Sequence, residues 1–123
     1  MMSGNNILLD TNAIIAILDG HPIATKIINH NILHISFITE LEALSYQKLT
    51  LDEKTIIRNF LDDCILLDLN SEIKKETIEI RTKYRLKLPD AIIAATAHYY
   101  KIPLVSADKT FSKIEEIEII RFI

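Results

Sequence analysis

Five short apolar runs, at residues 7–9, 32–37, 64–69, 102–105 and 117–122, alternate with segments whose apolar residues recur at helical spacing. Runs of that length suit strands buried on both faces, and strands that alternate with helices assemble into a mainly parallel sheet. The order predicts an α/β fold: a three-layer α/β/α arrangement around a central, mainly parallel sheet of four or five strands. A chain of 123 residues has the size of one domain, and no low-complexity stretch, internal repeat or linker divides residues 1–123.

Helix boundaries are marked by capping residues. Asp10, Thr11 and Asn12 precede the apolar run 13–18, and Gly20 and Pro22 separate it from a weaker helical face of Ile23, Ile27 and Ile28. Thr39 opens a third helix, predicted through about Leu49. Thr50 and Asp52 precede a fourth, in which Ile56, Ile57, Phe60 and Leu61 fall at helical spacing. Ser71 caps a longer helix with a stripe of Ile73, Thr77, Ile80 and Tyr84. Pro89 suits the first turn of a last helix running to about Tyr100, apolar almost all round and rich in alanine, as expected of a closely packed central element.

The longest apolar runs, 13–18 and 91–95, fall well short of the ~20 residues that a membrane-spanning helix needs. The amino end has no positive charge, and its short apolar stretch is stopped by Asp10, so the expectation is no secretory signal and a cytoplasmic location. The single cysteine, Cys64, cannot form an internal disulfide and is expected to be a buried thiol at the head of its strand. A mean hydropathy of +0.19 leaves room for some apolar surface reserved for a partner.

Four acids, Asp10, Glu42, Asp90 and Asp108, each stand where a predicted strand has just ended or a helix is just beginning. In an open α/β sheet such ends gather along the carboxyl edge of the strands, where ligands bind. Each acid also has a local explanation. Asp10 can cap a helix, Asp90 can complement a helix dipole, Thr39 and Glu42 fit a capping box, and Asp108 can stabilise a turn. Capping acids need not share one edge, however, and two carboxylates at ~4 Å repel by about 4 kcal/mol at an effective dielectric near 20. A divalent cation removes that cost, so the set predicts a hard, oxygen-rich site for Mg²⁺ or Mn²⁺, with one or two ions. Net charge is −3, which argues mildly against a nucleic-acid binder; taking away the four singled-out acids leaves the remainder at +1.

The segments around these acids, ILLDTN at 7–12, SFITELE at 36–42, LPDAIIAATA at 88–97 and LVSADKTF at 104–111, resemble the PIN domain in their order and spacing, over nearly the whole chain. Within that family the resemblance is to the VapC-type ribonuclease toxins of toxin–antitoxin pairs. It implies a metal-dependent endoribonuclease that leaves 5′-phosphate and 3′-hydroxyl ends, the toxin of a type II pair, with RNA as substrate, a cognate antitoxin as partner and a homodimeric state. By motif matching, Asp10, Glu42, Asp90 and Asp108 correspond to the acidic metal site; Asn12 and Ser106 match polar positions that order the acids or a bound water. Thr11 is a weaker supporting candidate. Where the family often has glycine beyond the glutamate, this chain has Ala43, Leu44, Ser45 and Tyr46. Lys83, Arg85 and Lys87 are candidates for RNA backbone contacts, with a solvated basic helix end as the alternative.

Two other readings remain open on the residues alone. An aspartate-based phosphotransfer domain also places an aspartate after its first strand, although Asp68 is expected inside the third strand and so poorly placed as phosphoacceptor. A catalytically silent interaction module of the same fold is the non-enzyme alternative. His30 and His34 are four apart but straddle a helix end and a strand, which makes no metal pair. His21 and His98 are isolated, and Tyr99 and Tyr100 suit packing better than base stacking.

Overall fold

The computed structural model describes residues 5–46 and 48–122. Five parallel strands form one sheet: β1 (Asn6–Leu9), β2 (Ile32–Ser36), β3 (Ile65–Leu67), β4 (Leu104–Ser106) and β5 (Ile119–Arg121), in the order β3-β2-β1-β4-β5. Six helices lie among the described residues: α1 (Thr11–Leu18), α2 (Pro22–Ile28), α3 (Phe37–Leu44), α4 (Leu51–Asp62), α5 (Ser71–Tyr84) and α6 (Leu88–Tyr100). A 3₁₀ segment (Lys109–Lys113) follows β4.

Alternation along the strands builds the three layers. Leu8 and Leu104 join a core with Ile73, Ile80, Ala94 and Phe111, which belong to α5, α6 and the 3₁₀ segment. Their strand neighbours Ile7, Leu9 and Val105 belong to the opposite core, with Ala13, Ile14, Ala24 and Leu61 from α1, α2 and α4. Every residue from Ala91 to Ala97 is buried, so α6 is the closely packed helix that its alanine content predicts. Small side chains on several faces let neighbouring elements approach it closely. The buried hydroxyls of Thr77 and Thr96 donate to the carbonyls of Ile73 and Ile92, at 2.7 Å each, so they cost no lost hydrogen bond.

Several boundaries differ from expectation. The third helix opens at Phe37, not Thr39, because Ser36 at the end of β2 is the cap, its Oγ accepting from the Ile38 amide at 3.3 Å. It ends at Leu44, short of Leu49. Asn70, not Ser71, caps α5 by accepting from the Ile73 amide at 2.8 Å. Strand β3 ends at Leu67, so Asp68 follows the strand instead of lying within it. Cys64 is half-buried and precedes β3; burial pushes its thiol up to about 11.

Helices α5 and α6 both end in the left-handed conformation on a residue with a Cβ, Arg85 at φ 57° and Lys101 at φ 56°. That conformation is costly for L-residues and free for glycine. Lys101→Gly is expected to stabilise the protein by about 0.5–1 kcal/mol, seen as a higher denaturant midpoint with an unchanged slope.

Candidate active site

The strand order reverses between β1 and β4, since the chain builds β1, β2 and β3 to one side and β4 and β5 to the other. Ligands bind at such a switch point, outside the carboxyl ends of the strands. Leu9 is in register with both Ile35 and Val105, so the next residues, Asp10, Ser36 and Ser106, stand level at that edge. The loops and helices that leave it carry the acids.

A cleft of about 400 Å³ opens there, lined by Asp10, Asn12, Glu42, Asp90 and Asp108 together with Thr11, Ser45, Tyr46, Ile93 and Phe111. All four predicted acids therefore meet in one cavity, although Asp10 and Asp108 are far apart in sequence. Asp10 is 4% exposed; its Oδ1 accepts from the Ala13 amide at 2.7 Å, which caps α1. Asp108 caps the 3₁₀ segment, accepting from the Thr110 amide at 2.9 Å. The capping explanations for these two acids are correct, and they do not compete with a site role: a cap fixes one oxygen and leaves the other available.

Glu42 is different. The capping box that would explain Glu42 locally does not form, because Thr39 lies inside α3, with its Oγ buried and without a hydrogen-bond partner among the described residues. Glu42 Oε1 instead accepts from Thr11 Oγ at 2.8 Å, across 31 residues of sequence. Asp90 occupies the first turn of α6, and Ile93, three residues on, shares its face toward the cleft. Ser106 is fully buried beneath the acids; its hydroxyl hydrogen-bonds Asp10 and accepts from the Asp108 amide at 3.0 Å, tying the two together.

Burial and, after it, the crowding of like charges show in the acidities. Burial, reinforced by the charges of Asp108 and Asp90, pushes Asp10 up to about 6, even though hydrogen bonds from Ser106 and Ala13 work the other way. Asp90 is also raised, first by burial and then by Asp108 and Glu42, with Lys87 opposing. Among the described residues, no three acidic, histidine or cysteine side chains stand close enough to form a ready-made metal cage. The donor set facing the cleft is nevertheless all oxygen, the chemistry of a hard cation.

The basic candidates separate. Lys87 sits at the start of α6, and its charge reaches Asp90. Lys83 is paired with Glu116 at 3.4 Å and lies 5.2 Å from the centre of the Tyr84 ring. Arg85 is an exposed helix cap. Sequence reasoning gave no site role to Tyr46, Ile93 or Phe111. The spacing of Ile93 from Asp90 and the isolated aromatic Phe111 three residues past Asp108 were the available signals.

The rival arrangements find little support. Asp68 is exposed at the end of an edge strand, with β2 between it and Asp10, so the two cannot share a phosphotransfer site. His34 is buried in β2, with Nε2 2.9 Å from Asn6 Oδ1, while His30 lies in a turn, so they form no metal pair. His21 caps α2 and His98 pairs with Glu76 at 3.0 Å. Tyr99 and Tyr100 pack edge to face on each other. No helix among the described residues is long and apolar enough to cross a membrane.

Comparison with known proteins bears on the family and the fold. The PIN domain family profile matches residues 7–117. Ribonuclease VapC6 of Methanocaldococcus jannaschii is 44% identical over 70 residues, 56% of this chain and 44% of that protein; Ribonuclease VapC2 of the same organism is 46% identical over 56 residues, 45% of this chain and 38% of that one. The chain thus spans less than half the length of either relative. A toxin–antitoxin complex from Klebsiella pneumoniae contains a chain with the same fold, at TM-score 0.80 and 27% identity, covering 93% of this chain and 95% of that one. VapBC2 from Rickettsia felis, bound to a promoter DNA fragment, matches at TM-score 0.83 and 20% identity over 96% of this chain and 99% of that one, a likeness of fold alone. Carrying the fold, the ordered motifs and a profile match over most of its length, the chain belongs to the PIN domain family.

Proposed function

We propose that this chain is a Mg²⁺- or Mn²⁺-dependent endoribonuclease, the toxin of a type II toxin–antitoxin pair. The observation that carries the proposal is the meeting of four carboxylates in one cleft at the switch point, with Asp10 pushed up to about 6. Carboxylates set close enough to raise each other's pKa gain most from a cation, and Mg²⁺ is commonly held through one or two carboxylates with the rest of its shell water. That habit suits acids that share a cavity without forming a tight cage. The VapC relatives are named ribonucleases, which supports the RNA-cleaving part of the reading.

When bound, the ion supplies Lewis-acid polarisation of the scissile phosphate and lowers the pKa of a water. Asp10, Glu42, Asp90 and Asp108 would hold it. Thr11 fixes Glu42 and Ser106 fixes Asp10, so the carboxylates keep their directions when the cleft fills. Asn12, exposed in the first turn of α1, offers an amide to a water or a phosphate oxygen. Lys87 is the cation best placed to contact the RNA backbone, with Lys83 and Arg85 further along the same basic segment. An antitoxin and a second copy of the chain are the proposed protein partners.

The direct test is incubation of the purified protein with single-stranded RNA, with Mn²⁺ or with chelator. Cleavage only with metal, leaving 5′-phosphate ends, supports the proposal; no Mn²⁺ binding by calorimetry at millimolar metal favours the silent-module reading instead. Thr11→Val is expected to lower metal affinity or kcat/KM by about 10-fold while the fold persists, because Glu42 loses the hydroxyl that positions it. Thr11→Ser should retain most of the activity, and a full-activity Thr11→Val enzyme would remove the positioning role.

A further inference from the structure

The acidic cleft and an apolar groove of about 320 Å³ share a single wall residue, Tyr46. It lies two residues past the end of α3 and four past Glu42, with Ser45 as the helix cap between them. The groove on its other side is lined by Ile14, Ile15, Leu18 and Ile57, among others. Within the cleft, Ile93 and Phe111 are buried, and the remaining lining groups are carboxylates, hydroxyls and an amide. Tyr46 is 44% exposed, so among the cleft residues it alone offers an open aromatic ring. Among the described residues no hydrogen bond or ring contact engages that side chain.

An ion among the four carboxylates would offset their repulsion of the scissile phosphate. The flanking nucleotides would still gain affinity from groups indifferent to charge. Base stacking on an aromatic ring is such a group, and it tolerates any base because every base has a π-face. A phosphodiester brought to the acids carries its flanking bases to the cleft walls, since one sugar joins base to phosphate. We propose that Tyr46 is the nucleobase platform of this site, stacking on a base that flanks the phosphate held at Asp10, Glu42, Asp90 and Asp108. The proposal rests on the ribonuclease reading and adds to it a residue that governs substrate binding.

The chain contains no tryptophan, so Tyr46→Trp introduces a unique indole, excited apart from the remaining tyrosines, at the proposed platform. Titration of that variant with single-stranded RNA is expected to quench the indole to saturation. In Mn²⁺-dependent cleavage, Tyr46→Phe and Tyr46→Trp should keep KM within a few-fold of the wild type. Tyr46→Leu, which preserves apolar bulk but lacks a π-face, should raise KM about 10-fold or more with its melting temperature unchanged. An indole unquenched by an RNA that the variant cleaves, or a wild-type KM in Tyr46→Leu, overturns the platform and leaves the ribonuclease standing. A wild-type protein that neither binds nor cleaves RNA with Mn²⁺ overturns both.

Discussion

Asp10→Asn is expected to abolish RNA cleavage and, in the same protein, to make the metal-free fold more stable. Folding moves this carboxyl from 3.8 to about 6, a cost of about 3 kcal/mol at pH 7. The sign follows from the direction of the shift: a group whose folded pKa is raised binds its proton more tightly in the fold. The cost is absent below pH 3.8, grows as pH rises toward 6, and is complete above it. Asparagine carries no charge, yet its oxygen can still accept from the Ala13 amide and cap α1. Allowing for a weaker hydrogen bond with Ser106, the gain in stability is about 2 kcal/mol at pH 7, shrinking to nothing near pH 4. Cleavage should fall by roughly 10³-fold, since several kcal/mol of charge stabilisation depend on a properly held ion. Chemical denaturation with chelator at pH 4 and pH 7, beside an RNA cleavage assay, measures both effects. A variant that is inactive and also less stable at pH 7 would mean that Asp10 is chiefly structural.

Phe111→Ala carries the second large effect, in the opposite direction. Phe111 is 1% exposed and belongs both to the floor of the acidic cleft and to the core that contains Leu8, Ala94 and Leu104. Removing a buried phenyl ring costs about 3–5 kcal/mol through lost burial and the cavity left behind. That is a large share of the 5–15 kcal/mol typical of a domain. Phe111→Leu keeps most of the volume and should cost less than about 1.5 kcal/mol. Urea unfolding of the two variants separates them, and a loss under 1 kcal/mol for Phe111→Ala would show that the ring is not an anchor of the core.

The two substitutions describe one design. Asp10 is held in a place that destabilises it, and the buried ring of Phe111, which lines the same cleft, helps to pay for that through the core it joins. Such sites lose function when they gain stability.

Much of the fold is legible in the sequence. Short apolar runs ending at Asp10, Ser36 and Ser106 report strands locally, and the alanine-rich segment after Pro89 reports a buried helix, because both signals lie within a few consecutive residues. Boundaries were less legible where two local signals competed: Ser36 and Thr39 are both capping residues, and only the end of β2 decided in favour of Ser36. The capping-box alternative for Glu42 fails for the same reason, since a capping box is a four-residue pattern whereas its hydrogen-bond partner, Thr11, is 31 residues away. Tyr46 gave no signal of site membership, and Phe111 only its place three residues past Asp108, because which side chains border a cavity depends on how separate helices are set against the sheet.

The sequence by itself determined the alternation of strand and helix, the placing of an acid at four element ends, and with them a layered α/β fold. Only the tertiary structure decided that the four ends meet. The reason is the order β3-β2-β1-β4-β5: by laying β4 against β1 on the side away from β2, it brings Ser106 and Asp108 beside Asp10, and α3 and α6 then carry Glu42 and Asp90 over the same edge. Capping is a local interaction that any one helix can satisfy alone. The burial that raises Asp10 to about 6, with the charges of Asp108 and Asp90 adding to it, exists only once the sheet has closed around it.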